Sequence, residues 1–138
     1  MVMYLFDASS IVNLIKKGKV KLFAKGVTID LALYESLNAV WKEYTILRKI
    51  DKDIALKFIN IISNIFKVIR ILSITELEKE VFSLASKENL TVYDASYLYT
   101  AMRNGLILVT DDQKLKDIAS KYVEVITSKE LAAKDRFY

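Results

Sequence analysis

The sequence contains no histidine, no cysteine and no proline among its 138 residues. Without cysteine there can be no disulfide framework, no thiol nucleophile and no cysteine zinc site. Without histidine there can be no Ser–His–Asp triad and no imidazole acting as acid, base or metal ligand. Any chemistry must therefore use carboxylates, amines, hydroxyls, the backbone, or a metal ion held by oxygen ligands.

Long apolar runs are also missing. The run before Asp7 is too short for the core of a signal peptide, and a membrane span would need roughly 20 apolar residues in succession. Apolar residues nevertheless make up 53% of the chain, which is enough for a substantial core. We therefore expect one domain over residues 1–138, in a soluble cytoplasmic protein that does not enter a membrane.

Short apolar segments without polar alternation are typical of strands that a parallel sheet buries on both faces. Five such segments are Val2–Phe6, Val27–Ile29, Val68–Leu72, Leu106–Val109 and Val123–Ile126. Longer amphipathic segments separate them, so helical crossovers must connect the strands. The pattern predicts an α/β sandwich around a parallel sheet.

Start and stop signals predict where the helices between these strands lie. Ser9 or Ser10 is placed to cap the first helix, and Asp30 to cap the second. Thr75 and Glu78 have the spacing of a capping box. The predicted helices cover residues 10–17, 31–49, 51–66, 75–87, 91–103 and 112–121, and a short helix begins at residue 128.

Acids at four places in the chain, one of them an adjacent pair, stand apart from the other acids, which lie among lysines and arginines. Asp7 ends the first strand, and the pair Asp111 and Asp112 follows the fourth. Glu35 and Asp94 lie in the first turns of helices, within apolar-rich segments. Each has an ordinary structural explanation, because the aspartates could cap helices and the glutamate could pair with a lysine.

The positions of these acids together favour a shared site. In an open α/β sheet, ligands bind beyond the carboxyl ends of the strands, where the strand order reverses. If the first and fourth strands are neighbours there, Asp7 and Asp112 converge, and the helices carrying Glu35 and Asp94 begin at the same edge. Clustered carboxylates repel unless a cation neutralises them, and oxygen ligands favour Mg²⁺ or Mn²⁺. Such ions bind phosphate oxygens, so phosphoryl-transfer chemistry is the leading expectation.

Four sequence segments resemble the PIN-domain nucleases, and most closely the VapC-type toxins of toxin–antitoxin pairs. They occur in family order, and they span residues 4 to 115. The matching segments are Tyr4-Leu-Phe-Asp-Ala-Ser-Ser10, Glu35-Ser-Leu-Asn38 with Trp41 following, Tyr93-Asp-Ala-Ser-Tyr-Leu98, and Leu108-Val-Thr-Asp-Asp-Gln-Lys-Leu115.

The resemblance implies a three-layer α/β/α sandwich with a five-stranded parallel sheet and an acidic quartet that binds Mg²⁺ or Mn²⁺. The quartet, carried over by position, is Asp7, Glu35, Asp94 and Asp112. The family pattern of threonine, any residue, then aspartate selects Asp112, although the adjacent acid could also help. Residues implied to support the site are Ser9, Asn38, Thr110 and Asp111.

The activity implied is metal-assisted endonucleolytic hydrolysis of RNA, with the three aspartates as preferred ligands. Glu35 would either bind metal or orient the attacking water. The resemblance also implies a small protein antitoxin and a homodimer as partners.

Basic residues are candidates for contacts with RNA phosphates. The segment between Asp7 and Asp30 contains no acid, and its basic residues form a first group: Lys16, Lys17, Lys19, Lys21 and Lys25. A second consists of Lys42, Arg48, Lys49, Lys52 and Lys57. Both groups could equally be ordinary solvated surface, since a net charge of +4 is modest.

An apolar segment around Ile54–Phe66 covers more than one helical stripe, so it is expected either deep in the core or against a partner.

Three other functions stay open at this point. A Mg²⁺-dependent phosphatase or receiver-type domain could use the paired acids, although receivers place their pair after the first strand. A non-catalytic binding module could share the fold. An RNA-processing PIN nuclease would have the same chemistry without a toxin role.

Overall fold

The computed structural model describes residues 3–135, so Val2 of the first predicted strand lies outside the described residues. The strands are β1 (Tyr4–Phe6), β2 (Gly26–Ile29), β3 (Arg70–Leu72), β4 (Ile107–Val109) and β5 (Val125–Ile126). The helices are α1 (Ala8–Lys16), α2 (Leu31–Trp41), α3 (Lys52–Val68), α4 (Glu78–Glu88), α5 (Val92–Asn104), α6 (Gln113–Ala119) and α7 (Ser128–Asp135).

The sheet is parallel throughout, with strand order β3-β2-β1-β4-β5. From β1 the chain moves outward to β2 and β3, then crosses back to β4 and β5 on the other side. Because parallel crossovers are right-handed, opposite directions place the connecting helices on opposite faces of the sheet. The predicted three-layer α/β/α sandwich with five parallel strands is confirmed.

The first and fourth strands are neighbours, with Phe6 paired to Val109. Connections leave these two strands in opposite directions, which makes their carboxyl ends the topological switch point of the sheet. The predicted site required the first and fourth strands to be neighbours, and this requirement is met. The strands pack into a core whose largest fully buried side chains include Phe6, Leu5 and Tyr97.

One glycine is required by a close approach of two strands. Gly26 opens β2, and a Cβ atom there would lie 2.4 Å from the carbonyl oxygen of Tyr4 and 2.5 Å from the Phe6 ring. Only glycine fits at this position without moving β1, the strand that leads to Asp7.

Three predicted caps are wrong. The first helix is capped by Asp7, whose carboxylate accepts the Ser10 N–H, and not by either serine. Asp30 has helical backbone angles and makes no capping hydrogen bond. The capping box of Thr75 and Glu78 does not form, because α4 begins only at Glu78 and its cap position is Leu77. Each predicted residue had the right chemistry but the wrong backbone angles or register.

The second helix does not run regularly to residue 49. Regular α-helix ends at Trp41, and a π-helical segment, Lys42–Ile46, follows it. The chain then turns at Arg48, which has a positive φ of 52°. Tyr44 and Leu47 continue the apolar periodicity past this point, which is why the sequence predicted a longer helix. Their side chains are exposed, so they do not belong to the core. A 3₁₀ helix, Val20–Lys25, was also not predicted.

The apolar helix α3 is buried along one face only. Ala55, Ile62 and Ile65 are buried, whereas Ile54 and Leu56 are exposed. Of the two expectations for this segment, a position deep in the core is therefore wrong. Among the described residues, no helix is both long enough and apolar enough to cross a bilayer.

Candidate active site

Asp7 lies immediately after β1 and is almost completely buried, with 5% of its surface exposed. Its Oδ1 accepts hydrogen bonds from the Ser9 hydroxyl at 2.8 Å and the Ser10 backbone N–H at 2.9 Å. Its Oδ2 accepts a hydrogen bond from the Thr110 hydroxyl. Residues from two neighbouring strand ends thus fix the orientation of this carboxylate.

Burial is costly for this carboxylate. Removal from water raises the pKa of Asp7 from an ordinary 3.8 to about 6, and the bonds from Thr110, Ser10 and Ser9 only partly oppose the rise. A buried acid of raised pKa at a switch point is a candidate functional group, because a bound cation would favour its charged form.

The loop after β4 sends its two adjacent acids in different directions. Asp112 caps α6, with its Oδ1 accepting the Leu115 N–H at 2.9 Å. Among the described residues, no hydrogen-bond donor reaches its Oδ2. Asp111 instead accepts hydrogen bonds from the Asn13 side chain at 2.7 Å and from the Ser128 backbone and hydroxyl at 2.7 and 2.6 Å. Asp111 therefore joins α1 to α7, while Asp112 keeps an oxygen available.

The other two acids arrive on helices that begin at the same edge of the sheet. Glu35, in the second turn of α2, accepts a hydrogen bond from the Tyr97 hydroxyl at 2.7 Å. Asp94 lies in the first turn of α5, below the Thr91 cap. Burial raises the pKa of Asp94, and the negative charges of Asp112 and Glu35 raise it further.

Asp94 and Tyr97 link the four acids. Asp94 is repelled by Asp112 and Glu35, and the Tyr97 hydroxyl is within range of both Glu35 and Asp7. The fold therefore brings together the acids that the sequence singled out. The ordinary explanation also holds for two of them, since Asp7 and Asp112 do cap helices, but capping uses only one oxygen of each.

The donor set fits a hard divalent cation bound with several waters. Within residues 3–135, no three acidic side chains are close enough to hold a metal ion by protein ligands alone. Mg²⁺ usually keeps several waters and takes only one or two carboxylates from the protein. All available donors are oxygens, and the repulsion at Asp94 is the kind that a cation relieves.

The implied supporting residues differ in what they do. Ser9 and Thr110 both donate to Asp7, and the Asp111 and Asp112 backbone N–H groups donate to these same two hydroxyls at 3.0 and 3.1 Å. Asn38 is exposed one turn beyond Glu35. The hydroxyls therefore tie the two strand ends together.

The fold does not bring the first lysine group to the acids. Gly26 pairs with Tyr4 at the amino edge of the sheet, so the preceding Lys25 lies at the edge opposite Asp7. Lys16 lies at the far end of α1, about 13 Å of helix from its start. It pairs with Glu43, and Lys19 pairs with Asp135 at 3.4 Å. Contact between this group and RNA stays a prediction, and it would require a substrate that reaches both edges.

Two residues near the acids were not singled out by the sequence. Lys114, in the first turn of α6, is close enough to Asp94 for its charge to oppose the rise in pKa there. The ring of Tyr97 is buried, as is usual for an aromatic side chain, but its hydroxyl reaches Glu35. The spacing of Tyr97 three residues after Asp94 was the one available signal, since it places both on neighbouring positions of one helix.

Known proteins resemble this chain in sequence and in fold. Residues 4–121 match the PIN domain family. Exonuclease VapC9 of Pyrobaculum aerophilum is 36% identical over 114 residues, which cover 81% of this chain and 82% of that protein. Ribonuclease VapC3 of the same organism is 36% identical over 102 residues, covering 72% and 73%.

The crystal structure of PAE2754 from Pyrobaculum aerophilum has the same fold. It superposes with a TM-score of 0.77 at 30% sequence identity, over 96% of both chains. The matched range of the PIN domain family, residues 4–121, includes all four acids. This chain therefore belongs to the PIN-domain family, among its VapC-type nucleases.

Proposed function

We propose that this protein is a metal-dependent endoribonuclease and the toxin of a toxin–antitoxin pair. The observation that carries the proposal is the convergence of four carboxylates, from β1, β4, α2 and α5, at the switch point of a PIN-domain sheet. A divalent cation would neutralise clustered carboxylates and allow a phosphate to approach them. The relatives named ribonuclease and exonuclease support nucleic-acid hydrolysis as the reaction class.

Each acid has a proposed role. Asp7, Asp94 and Asp112 are the preferred ligands of one or two Mg²⁺ or Mn²⁺ ions, each of which would take one or two of these carboxylates and several waters. Glu35 either binds metal or orients the attacking water. When bound, the ion would supply a water of lowered pKa and positive charge beside the phosphate. Ser9 and Thr110 hold Asp7 in place by their hydroxyls.

Partner binding is supported by exposed apolar side chains on the segment from α2 to α3. Large contiguous apolar patches mark interaction surfaces, and we propose that these side chains form one. We name these residues the hairpin surface: Trp41, Tyr44, Ile46, Leu47, Ile54, Leu56 and Ile61. We propose that a homodimer contact, a small antitoxin, or both cover it.

The decisive experiment measures cleavage of linear and circular RNA with Mn²⁺, Mg²⁺ or EDTA. Circular RNA has no ends, so its cleavage separates an endonuclease from an exonuclease. We expect metal-dependent cleavage of both substrates, lost in Asp7→Asn and Asp94→Asn and retained in Asp53→Asn, a matched change of an exposed acid on α3. Cleavage that survives EDTA and both active-site substitutions would contradict the mechanism.

Two alternatives remain within the same fold. A non-catalytic binding module would bind no Mn²⁺ in a calorimetric titration, or its Asp7→Asn variant would bind Mn²⁺ as tightly as the unchanged protein does. An RNA-processing nuclease would cleave RNA but would not arrest growth when expressed in cells. Growth arrest that a small DNA-binding protein from an adjacent gene relieves would support the toxin assignment.

A further inference from the structure

Tyr97 combines a fully buried ring with a hydroxyl that reaches the candidate site. Only 2% of its surface is exposed, and it is among the largest fully buried side chains. Its hydroxyl nevertheless donates to Glu35 Oε1 at 2.7 Å, joining α5 to α2 across 62 residues of sequence. A buried phenol hydroxyl needs a partner, and here the partner is a group of the acidic quartet.

The surroundings of Tyr97 keep its hydroxyl protonated. Burial raises the pKa of Tyr97 far above its ordinary value, and the hydrogen bond and charge of Glu35 add to the rise. The charge of Asp7 acts in the same direction, while the Ala8 backbone N–H opposes it. The hydroxyl lies between the start of α1 and the carboxylate on α2, to which it donates.

Glu35 has more freedom than its donor. It is partly exposed on α2, and a glutamate side chain has several rotatable bonds. Tyr97, in contrast, is held by the core around its ring. A rigid donor at Oε1 restricts the rotation of the carboxylate and leaves Oε2 free of that bond.

We propose that Tyr97 is a positioning residue that holds the Glu35 carboxylate in the acidic cleft, ready to bind metal or orient water. The inference rests on the proposed nuclease function. Tyr97 touches neither substrate nor metal in this role and acts only through Glu35. Removal of a hydrogen-bond partner of a metal-binding carboxylate typically lowers metal affinity or activity by about 10- to 100-fold.

The chain contains a matched control for this bond. Tyr122 donates to Glu88 Oε1 at 2.8 Å, the same chemistry at nearly the same distance. Glu88 is also paired with Lys121 at 2.7 Å, and it lies at the end of α4. Tyr122→Phe therefore removes an equivalent hydroxyl that has no contact with the quartet.

The experiment compares Tyr97→Phe, Tyr122→Phe, Glu35→Gln and the double variant Tyr97→Phe/Glu35→Gln. For each, we would measure kcat/KM for RNA cleavage, Mn²⁺ affinity by calorimetry, and Tm without metal. We expect Tyr97→Phe to lower kcat/KM or Mn²⁺ affinity by about 10- to 100-fold, and Tyr122→Phe to change either by less than about 2-fold. In the Glu35→Gln background, the hydroxyl should have no further effect.

The outcomes separate this inference from the proposed function. The positioning role would be overturned if Tyr97→Phe had the same kcat/KM and Mn²⁺ affinity as the wild type, even if the wild type cleaves RNA. It would also be overturned if the losses in the two single variants simply added in the double variant. A wild type that binds Mn²⁺ but cleaves no RNA would reject the nuclease proposal, and the Mn²⁺ cycle would still decide the role of Tyr97. A wild type without either property would overturn both. The Tm shows whether any loss reflects unfolding.

Discussion

At the scale of single residues, Asp7 has two requirements that conflict. It caps α1 and receives three well-defined hydrogen bonds, but it is buried where water cannot solvate its charge. The folded-state pKa of about 6 lies above the ordinary 3.8, so the folded protein binds this proton more tightly than the unfolded chain does. The ionised carboxylate therefore destabilises the metal-free fold.

Asp7→Asn should accordingly stabilise the metal-free protein while abolishing cleavage. The stability that protonated Asp7 provides is complete below about pH 4 and is lost as the pH rises through 6. A pKa difference of about 2 units corresponds to about 3 kcal/mol, and asparagine caps helices as well as aspartate does. We expect Tm to rise by several degrees at pH 7.5, with the gain disappearing near pH 4.

Calorimetric unfolding in EDTA across this pH range measures the effect, with Asp53→Asn as the control for an exposed acid. A lower Tm for Asp7→Asn at pH 7.5 would mean that its hydrogen bonds outweigh the burial of its charge. Adding Mn²⁺ should stabilise the wild type more than the variant, because the variant lacks a ligand.

At the scale of elements, the β4–α6 loop separates a structural acid from a candidate metal ligand. Asp111 connects α1 to the start of α7 through Asn13 and Ser128. Asp112 caps α6 and lies close enough to Asp94 to raise its pKa. Neighbouring residues in an extended loop point in different directions, so the chain can assign them different tasks.

Asp111→Ala should therefore lower stability, whereas Asp112→Asn should abolish cleavage. The first removes three hydrogen bonds to a carboxylate, each worth about 1.5–3 kcal/mol, and should lower the free energy of unfolding by at least 2 kcal/mol. The second keeps the cap but removes a metal-binding charge, so it should abolish cleavage with little change in stability. Urea unfolding and RNA cleavage measure the two effects. Loss of cleavage in both folded variants, with unchanged stability, would instead make Asp111 part of the catalytic site.

At the scale of the whole molecule, charge and apolar surface are unevenly distributed. The acids lie at the carboxyl edge of the sheet, and the lysine segment before β2 lies at the amino edge. The hairpin surface adds exposed apolar area on α2 and α3. The net charge of +4 therefore says little about the electrostatic field at the cleft itself.

Trp41, the one tryptophan in the sequence, reports on the hairpin surface. It is 51% exposed, so its fluorescence should shift to shorter wavelength when a second copy covers it. We expect this shift as protein concentration rises, together with a dimer in analytical ultracentrifugation. Leu56→Glu should weaken the dimer, whereas Phe82→Glu, a matched change on α4, should not. A monomer with constant emission at every concentration would contradict a dimer through this surface.

The sequence alone predicted most of the fold and restricted any metal site to oxygen ligands. The absence of histidine and cysteine left oxygen ligands, and apolar runs separated by amphipathic segments indicated parallel strands with helical crossovers. These features are local, so periodicity and turn chemistry are enough to detect them. Caps were less predictable, because Asp30 and Thr75 have suitable side chains whose backbone does not adopt the capping geometry.

Which residues meet depends on how the chain folds in three dimensions. The Thr110–Asp7 and Tyr97–Glu35 hydrogen bonds join residues 103 and 62 positions apart, and no sequence periodicity specifies such pairs. The different orientations of Asp111 and Asp112 likewise depend on where α7 packs. Strand order made β1 and β4 neighbours, so the residues that follow them meet although they are far apart along the chain. The shared direction of the strands placed the carboxylates at one edge of the sheet and Lys25 at the other.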